Sequence, residues 1–313
     1  MANHVFQFGI EIELLIGSRS KTHKSWKFLA SELSLRLENA GIPNHLNEGN
    51  EKSADNYYEW SITQEVTVPA QAGKNLWGLE LVSPIFTSGY AWTTDLASIF
   101  MVLKSGFIIS PSPNCSTHIH LSTSPPLQTP QLAAIAKAVL FFEPAVDTLL
   151  PSSRASSYWC QSNRNNPALK LLSLPQCFEY IDYCVDIPSI ARTMCLFPAK
   201  SAYGRANGYT EDFVHGVYKW DFSGLDSGIG TLEFRQAPGS CNAEEAVTWV
   251  ELAVCFVAGA IEQGPALNPD GQVSMEDLWW LINIGAQATG FGNLGGVERL
   301  FAQAGTKNKF GRK

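Results

Sequence analysis

Two carboxylates two residues apart, Glu11 and Glu13 in the run FGIEIELL, are the first side chains of this 313-residue chain that could act together. Residues i and i+2 of a strand point to the same side, so an extended segment would hold these groups about 7 Å apart. Like charges so placed repel unless water or a cation screens them, and hard divalent cations such as Mg²⁺ take oxygen ligands. The plainer alternative is the solvated face of an edge strand. His118-Ile119-His120 repeats the spacing with imidazoles, either as a metal-ligand pair or as two hydrogen-bonded histidines. Glu233 and Arg235, in GTLEFRQ, would put a metal-ligating carboxylate beside a guanidinium able to address a phosphate, or form a simple cross-strand salt bridge. Glu80 is the single acid in the apolar run GLELV, where a lone carboxylate is costly to bury unless it is paired or metal-bound. Arg154 and Arg164 bracket RASSYWCQSNR, whose aromatic and small polar residues suit anion recognition or an ordered surface loop.

The elements that must position these groups follow from periodicity. Phe6 to Leu15, Trp60 to Val68, Gly78 to Ser83, Cys115 to Ser122, Val217 to Phe222 and Gly230 to Gln236 read as strands. Ser25 to Ala40, stopped by Gly41 and Pro43, and Trp92 to Lys104 read as helices. Thr129 is expected to cap a helix with Pro130 in its first turn and a bend at Pro144. Asn242 with Glu245, and Ser274 with Asp277, have the spacing of capping boxes that open two more helices. His45 to Asn56 reads as a polar loop and residues 151–190 as irregular. Strands and helices intersperse without regular alternation, which predicts an α+β fold with a largely antiparallel sheet and helices on one side. No boundary divides the chain, so residues 1–305 are expected to form one domain, with 306–313 a basic, frayed tail.

Hydrophobic residues make up 45% and charged residues 16%, which excludes a disordered chain. A net charge of −7 argues against a nucleic-acid partner. Seven cysteines without a CxxC argue against a zinc ribbon or disulfide framework and for reduced thiols, mostly packed as small apolar residues. The opening MANHVFQFGIEIELL has no basic n-region, and Leu252 to Ile261 is too short to span a bilayer. A cytoplasmic protein with no membrane partner is therefore expected.

Four strands thus carry acids or histidines opposite apolar residues. If they share one sheet, the polar groups converge on one face, where two or three Mg²⁺ ions could clamp a triphosphate and stabilise phosphoryl transfer. No GxxxxGK[ST] loop, strand–GxGxxG–helix or GxSxG elbow occurs.

Taken in order, FGIEIELL, GLELVSPIF, CSTHIHLS, FFEPAVDTLLPSSRASSYWCQSNR and GTLEFRQAPGSCN resemble the amidoligase family of the glutamine synthetase and γ-glutamylcysteine synthetase-like carboxylate–amine ligases. The resemblance covers residues 6–260. It implies a curved, largely antiparallel half-barrel funnel, glutamine synthetase-like, with helices outside. It also implies an ATP-dependent ligase that joins a small-molecule carboxylic acid to an amine through an acyl phosphate. Carried over position by position, it makes Glu11, Glu13, Glu80, His118 and Glu233 ligands of Mg²⁺, with Mn²⁺ a possible substitute. His120, Arg154 and Arg235 become nucleotide contacts, and Arg235, Glu80 and Arg164 the catalytic set. One departure stands out: where members often carry W-x-x-x-x-D-x-S, this chain has Trp60, Glu65 and Thr67. Two other readings stay open: a metal-dependent hydrolase on the same Glu and His face, and a non-catalytic MgATP-binding protein.

Overall fold

The computed structural model describes residues 4–49, 51, 57–89, 91–155 and 157–310, without the side chains of 306–310. The chain forms two compact units, one of Gln7–Ile119 with Ala237–Val250, the other of Met1–Phe6, His120–Gln236 and Glu251–Lys313. The sheet is largely antiparallel and open, and the elements are mixed α and β.

The first unit carries β1 (Val5–Ser18), α1 (Trp26–Asn39), β2 (Asn44–Leu46), β3 (Trp60–Gln64), β4 (Trp77–Val82), β5 (Phe86–Thr87), α2 (Trp92–Gly106), β6 (Phe107–Ser110) and the start of β7 (Ser116–Ser124). Its strands lie in the order β7, β1, β4, β3, β2, with β5 and β6 also paired to β1. Strict alternation along β1 decides which face is which. Phe8, Ile10, Ile12 and Leu14 are at most 2% exposed, and Phe8 meets Trp92 of α2 edge-on at 5.1 Å. Each such side chain contributes about 1.5–3 kcal/mol of burial. The opposite face is left to Glu11 and Glu13. β2 falls where a loop was expected. It pairs parallel to β3, with Asn44 anchored by its side-chain amide on the carbonyls of Ser34 and Ile42. Three residues are too few for a periodic signal, which is why the sequence hides it. Residues 50 and 52–56 of that expected loop lie outside the described residues.

The second unit continues with α3 (Thr129–Leu149), α4 (Ser152–Ala155), α5 (Leu174–Asp182), α6 (Ile187–Cys195), β8 (Leu196–Phe197), α7 (Ala202–Ala206), β9 (Phe213–Val214), β10 (Trp220–Asp221) and β11 (Leu232–Pro238). It closes with most of α8 (Ala243–Gln263), then α9 (Met275–Thr289) and α10 (Gly295–Phe310). Its strand order is β10, β11, β7, and β8 pairs separately with β9. Thr129, expected to cap α3, is instead its first residue: the cap is Gln128, which exchanges hydrogen bonds with Gln131. The helix continues through Pro144. Residues 151–190 are not irregular, because α4, α5 and the start of α6 lie there. Ser173 with Gln176 and Asp186 with Ser189 form capping boxes, each followed by a proline in the first turn. The side-chain caps expected before α8 and α9 are present, with the Glu245 amide donating to Asn242 at 3.0 Å and the Asp277 amide to Ser274 at 3.0 Å. The strand expected over 217–222 shrinks to two paired residues. Helix α10 runs into the tail expected to fray, and residues 311–313 lie outside the described residues. All seven cysteines are free, five of them buried. Among the described residues, no helix is long and apolar enough to cross a membrane.

Candidate functional site

In the first unit the polar groups assemble by strand register alone. β1 runs antiparallel to β4 with Glu13 opposite Glu80 and Glu11 opposite Val82, and β3 adds Thr63 opposite Glu80. Directly opposed residues share a face, so one row holds Glu13, Glu80 and Thr63. β7 contributes His118, whose Nδ1 lies 3.2 Å from a Glu11 carboxylate oxygen and whose Nε2 lies 3.6 Å from Glu13 and 2.8 Å from the Ser116 hydroxyl. The Ser116 amide donates to Glu13 at 2.8 Å. Four of the sequence-expected ligands are therefore neighbours: Glu11, Glu13, Glu80 and His118.

Glu65 joins them. One potential ligand atom each from Glu11, Glu80 and His118 lies within 4.8 Å of the others, and the same holds for Glu13, Glu65 and Glu80. Glu80 belongs to both groups. Glu65 is the residue that stands where the family pattern has aspartate, and its carboxylate accepts from the Thr67 amide and hydroxyl, both at 2.5 Å. Its backbone is held against Gly78, where a Cβ would come within 2.6 Å of the Glu65 carbonyl oxygen, so only glycine permits the approach. Glu13, Glu80 and His118 are 5%, 9% and 4% exposed. Burial pushes the Glu13 carboxyl above its ordinary value; His118 opposes this and Glu65 adds to it. Clustered carboxylates with one imidazole, in a site where burial disfavours their charge, fit a hard divalent cation such as Mg²⁺ or Mn²⁺.

In the second unit, β11 and β7 present the remaining candidates. Glu233 accepts from the Arg235 guanidinium at 2.5 Å, along one strand and not across two. His120 Nε2 lies 3.6 Å from Glu233, and its Nδ1 lies 3.2 Å from the Thr231 hydroxyl. Arg154 is 3% exposed, and its guanidinium donates to the backbone carbonyls of Arg235 at 2.6 Å and Gln236 at 3.3 Å. It thus grips the β11 backbone. Arg164 is half-buried and donates to the Leu172 carbonyl at 3.4 Å.

Sequence reasoning missed the network behind β11. Lys219, 2% exposed, donates to both Asp147 oxygens at 2.7 Å and to Glu143 at 3.2 Å, and the Gln236 amide donates to Asp147 at 2.5 Å. Burial works to lower the Lys219 pKa, but Glu143 and Asp147 overturn it and hold it above its ordinary value. Glu143 also accepts from the Asn163 amide at 3.2 Å, and Asn163 brackets the Trp220 backbone. The signal was legible: Glu143 and Asp147 stand one helical turn apart, and Lys219 is the lone charge between Tyr218 and Trp220.

The model of the family described as putative amidoligase enzyme matches residues 4–257. No curated protein matches the chain. With most of its length matched, the chain belongs to that amidoligase family.

Proposed function

We propose that this amidoligase joins a small-molecule carboxylic acid to an amine at the expense of ATP, through an acyl phosphate, releasing ADP and phosphate. The observation that supports it most is the meeting of half-buried Glu11 with buried Glu13, Glu80 and His118, with Glu65 beside them. They are the residues of the first unit that would hold Mg²⁺, and Glu233 is the ligand assigned in the second. The cation would supply charge neutralisation of the triphosphate. An acidic, partly buried face repels a polyanion without such a cation, so the family and the donor set point the same way.

The substrate carboxylate attacks the γ-phosphorus, forming a carboxyl O–P bond as the bond to ADP breaks. Arg235 is assigned to the charge on the transferring phosphoryl group, with Glu233 keeping its guanidinium oriented. Arg154 and Arg164 would assist. Arg154 does so most readily by fixing the backbone that carries Arg235, given its two bonds to that strand. His120, beside Glu233, is assigned to the nucleotide. The amine then displaces phosphate from the activated carbonyl, leaving an amide.

The test is nucleotide release. The protein is incubated with MgATP and pools of carboxylic acids and amines, and ADP, AMP and phosphate are resolved. ADP and phosphate that require both an acid and an amine, and that stop on chelation, support the reading. AMP with pyrophosphate, or turnover that survives EDTA in a metal-free preparation, overturns it. Hydrolysis without ATP would favour the metal-dependent hydrolase instead.

A further inference from the structure

The connection between β3 and β4, Glu65 to Leu76, lies over the polar face of β1. Side chains of β1 alternate, so Leu15 follows Glu11 and Glu13 on that face. Leu15 pairs with Gly78 as Glu13 pairs with Glu80, and opposed residues share a face. A Cβ on Gly78 would meet the Glu65 and Val68 carbonyl oxygens at 2.6 and 2.7 Å. The connection therefore crosses Gly78 on the side that carries the carboxylates. Most of it is exposed: from Val66 to Lys74 only Val68 is buried. Val68 and Leu76 form a small apolar cluster with Leu15 and Cys115, and none of the four is more than 7% exposed.

That cluster abuts the carboxylates. Cys115 precedes Ser116, whose amide donates to Glu13 at 2.8 Å. Burial pushes the Cys115 thiol up to about 12, and Glu13 adds to the rise. Exposure falls along the row towards the cluster: Glu11 is half-buried, Glu13 is 5% exposed and Leu15 2%. Three residues before Val68, Glu65 offers a ligand atom within 4.8 Å of those of Glu13 and Glu80. Like charges so close drive a carboxylate outwards, so the backbone that carries Glu65 must be held in place. Its amide donates to the Gly78 carbonyl at 3.2 Å, and the next anchor along the chain is Val68. The far end is fastened by Asn75, which donates to the Lys21 carbonyl and accepts from the His23 amide, both at 2.8 Å. We propose that residues 65–76 form a strap, pinned by Val68 and Leu76 on Leu15 and Cys115, that holds Glu65 in the cation site and closes that end to water. Val68 is thus a positioning residue that acts through Glu65. This rests on the reading of the acidic cluster as a cation site.

Calorimetric titration of EDTA-stripped protein with Mg²⁺ alone tests the strap without any substrate. Groups that orient metal ligands from behind are worth about 10- to 100-fold in affinity, and removing the pin should act at the lower end of that range. Val68→Ala is therefore expected to raise the Mg²⁺ dissociation constant on the order of tenfold. Leu76→Ala, at the other end of the strap, should raise it as well. Val102→Ala is the control: Val102 is buried on α2, outside the apolar cluster under the strap, so the same truncation should lower Tm and leave the Mg²⁺ constant unchanged. An unchanged constant in Val68→Ala overturns the inference, and so does an equal rise in Val102→Ala. If wild-type protein takes up no Mg²⁺, the cation-site reading itself fails and takes this inference with it.

Discussion

Two buried polar clusters of this protein carry opposite electrostatic characters. In the first unit, Glu11, Glu13, Glu65 and Glu80 gather around the single imidazole of His118. In the second, Lys219 is clasped by Asp147 and Glu143, with Gln236 completing the set. Both Glu13 and Lys219 have raised pKa values, and the shared direction has opposite meanings. For the carboxyl it means that its charge is disfavoured; for the ammonium, that its charge is stabilised by counterions already present. The first cluster gains from an added cation and the second does not. That difference separates a site from a scaffold better than burial does, since both are buried.

The largest effect should come from Glu80, the residue common to both ligand groups. Glu80→Gln is expected to cut ADP release on the order of 10³-fold while leaving the far-ultraviolet circular dichroism unchanged. Glu11→Gln and Glu233→Gln should behave alike. A near-normal rate in any of them would remove the metal assignment. The opposite behaviour is expected from Lys219→Met, which strands two carboxylates. It should lower unfolding stability by about 3 kcal/mol in urea titrations, with or without Mg²⁺. If Lys219→Met were neutral, the second cluster would not be the scaffold described.

Mg²⁺ itself should raise Tm by a few degrees in EDTA-stripped wild-type protein, by mass action on the folded state, and by much less in Glu80→Gln. An equal shift in both would mean that the ion binds elsewhere.

The smallest effect sharpens the comparison with a third buried carboxyl. Glu251 on α8 is pushed up to about 7 by burial, against the pull of Arg299. A carboxyl raised in the folded state contributes stability that is fully present below its ordinary value of 4.5 and lost as pH rises through about 7. Glu251→Gln should therefore raise Tm by about 2 °C at pH 8, with little change at pH 5. An equal gain at both pH values would show that Glu251 stays charged in the fold.

Much of this was legible before any fold was drawn. Alternation along residues 6–14 separates Glu11 and Glu13 from the apolar face whatever the partner strands are, because side chains of a strand have a period of two. The HxH and ExR runs are readable for the same reason. Helices α5 and α6 were missed although their capping boxes stand in the sequence, because each is only nine residues long and sits in a Ser-, Asn- and Arg-rich stretch that reads as loop. β2 was missed for want of length. The role of Glu65 was left open by its departure from the family pattern, and the β3–β4 register resolves its neighbours.

The residue types, and the faces they take on each strand, come from local chemistry, and the sequence by itself determined them. Which strands lie side by side, and in what register, depends on pairings across tens of residues that no local pattern encodes. Only the tertiary structure decided that Glu13 faces Glu80 and that Arg154 holds the strand bearing Arg235. A one-residue slip in any of those pairings would send the same side chains to the opposite face.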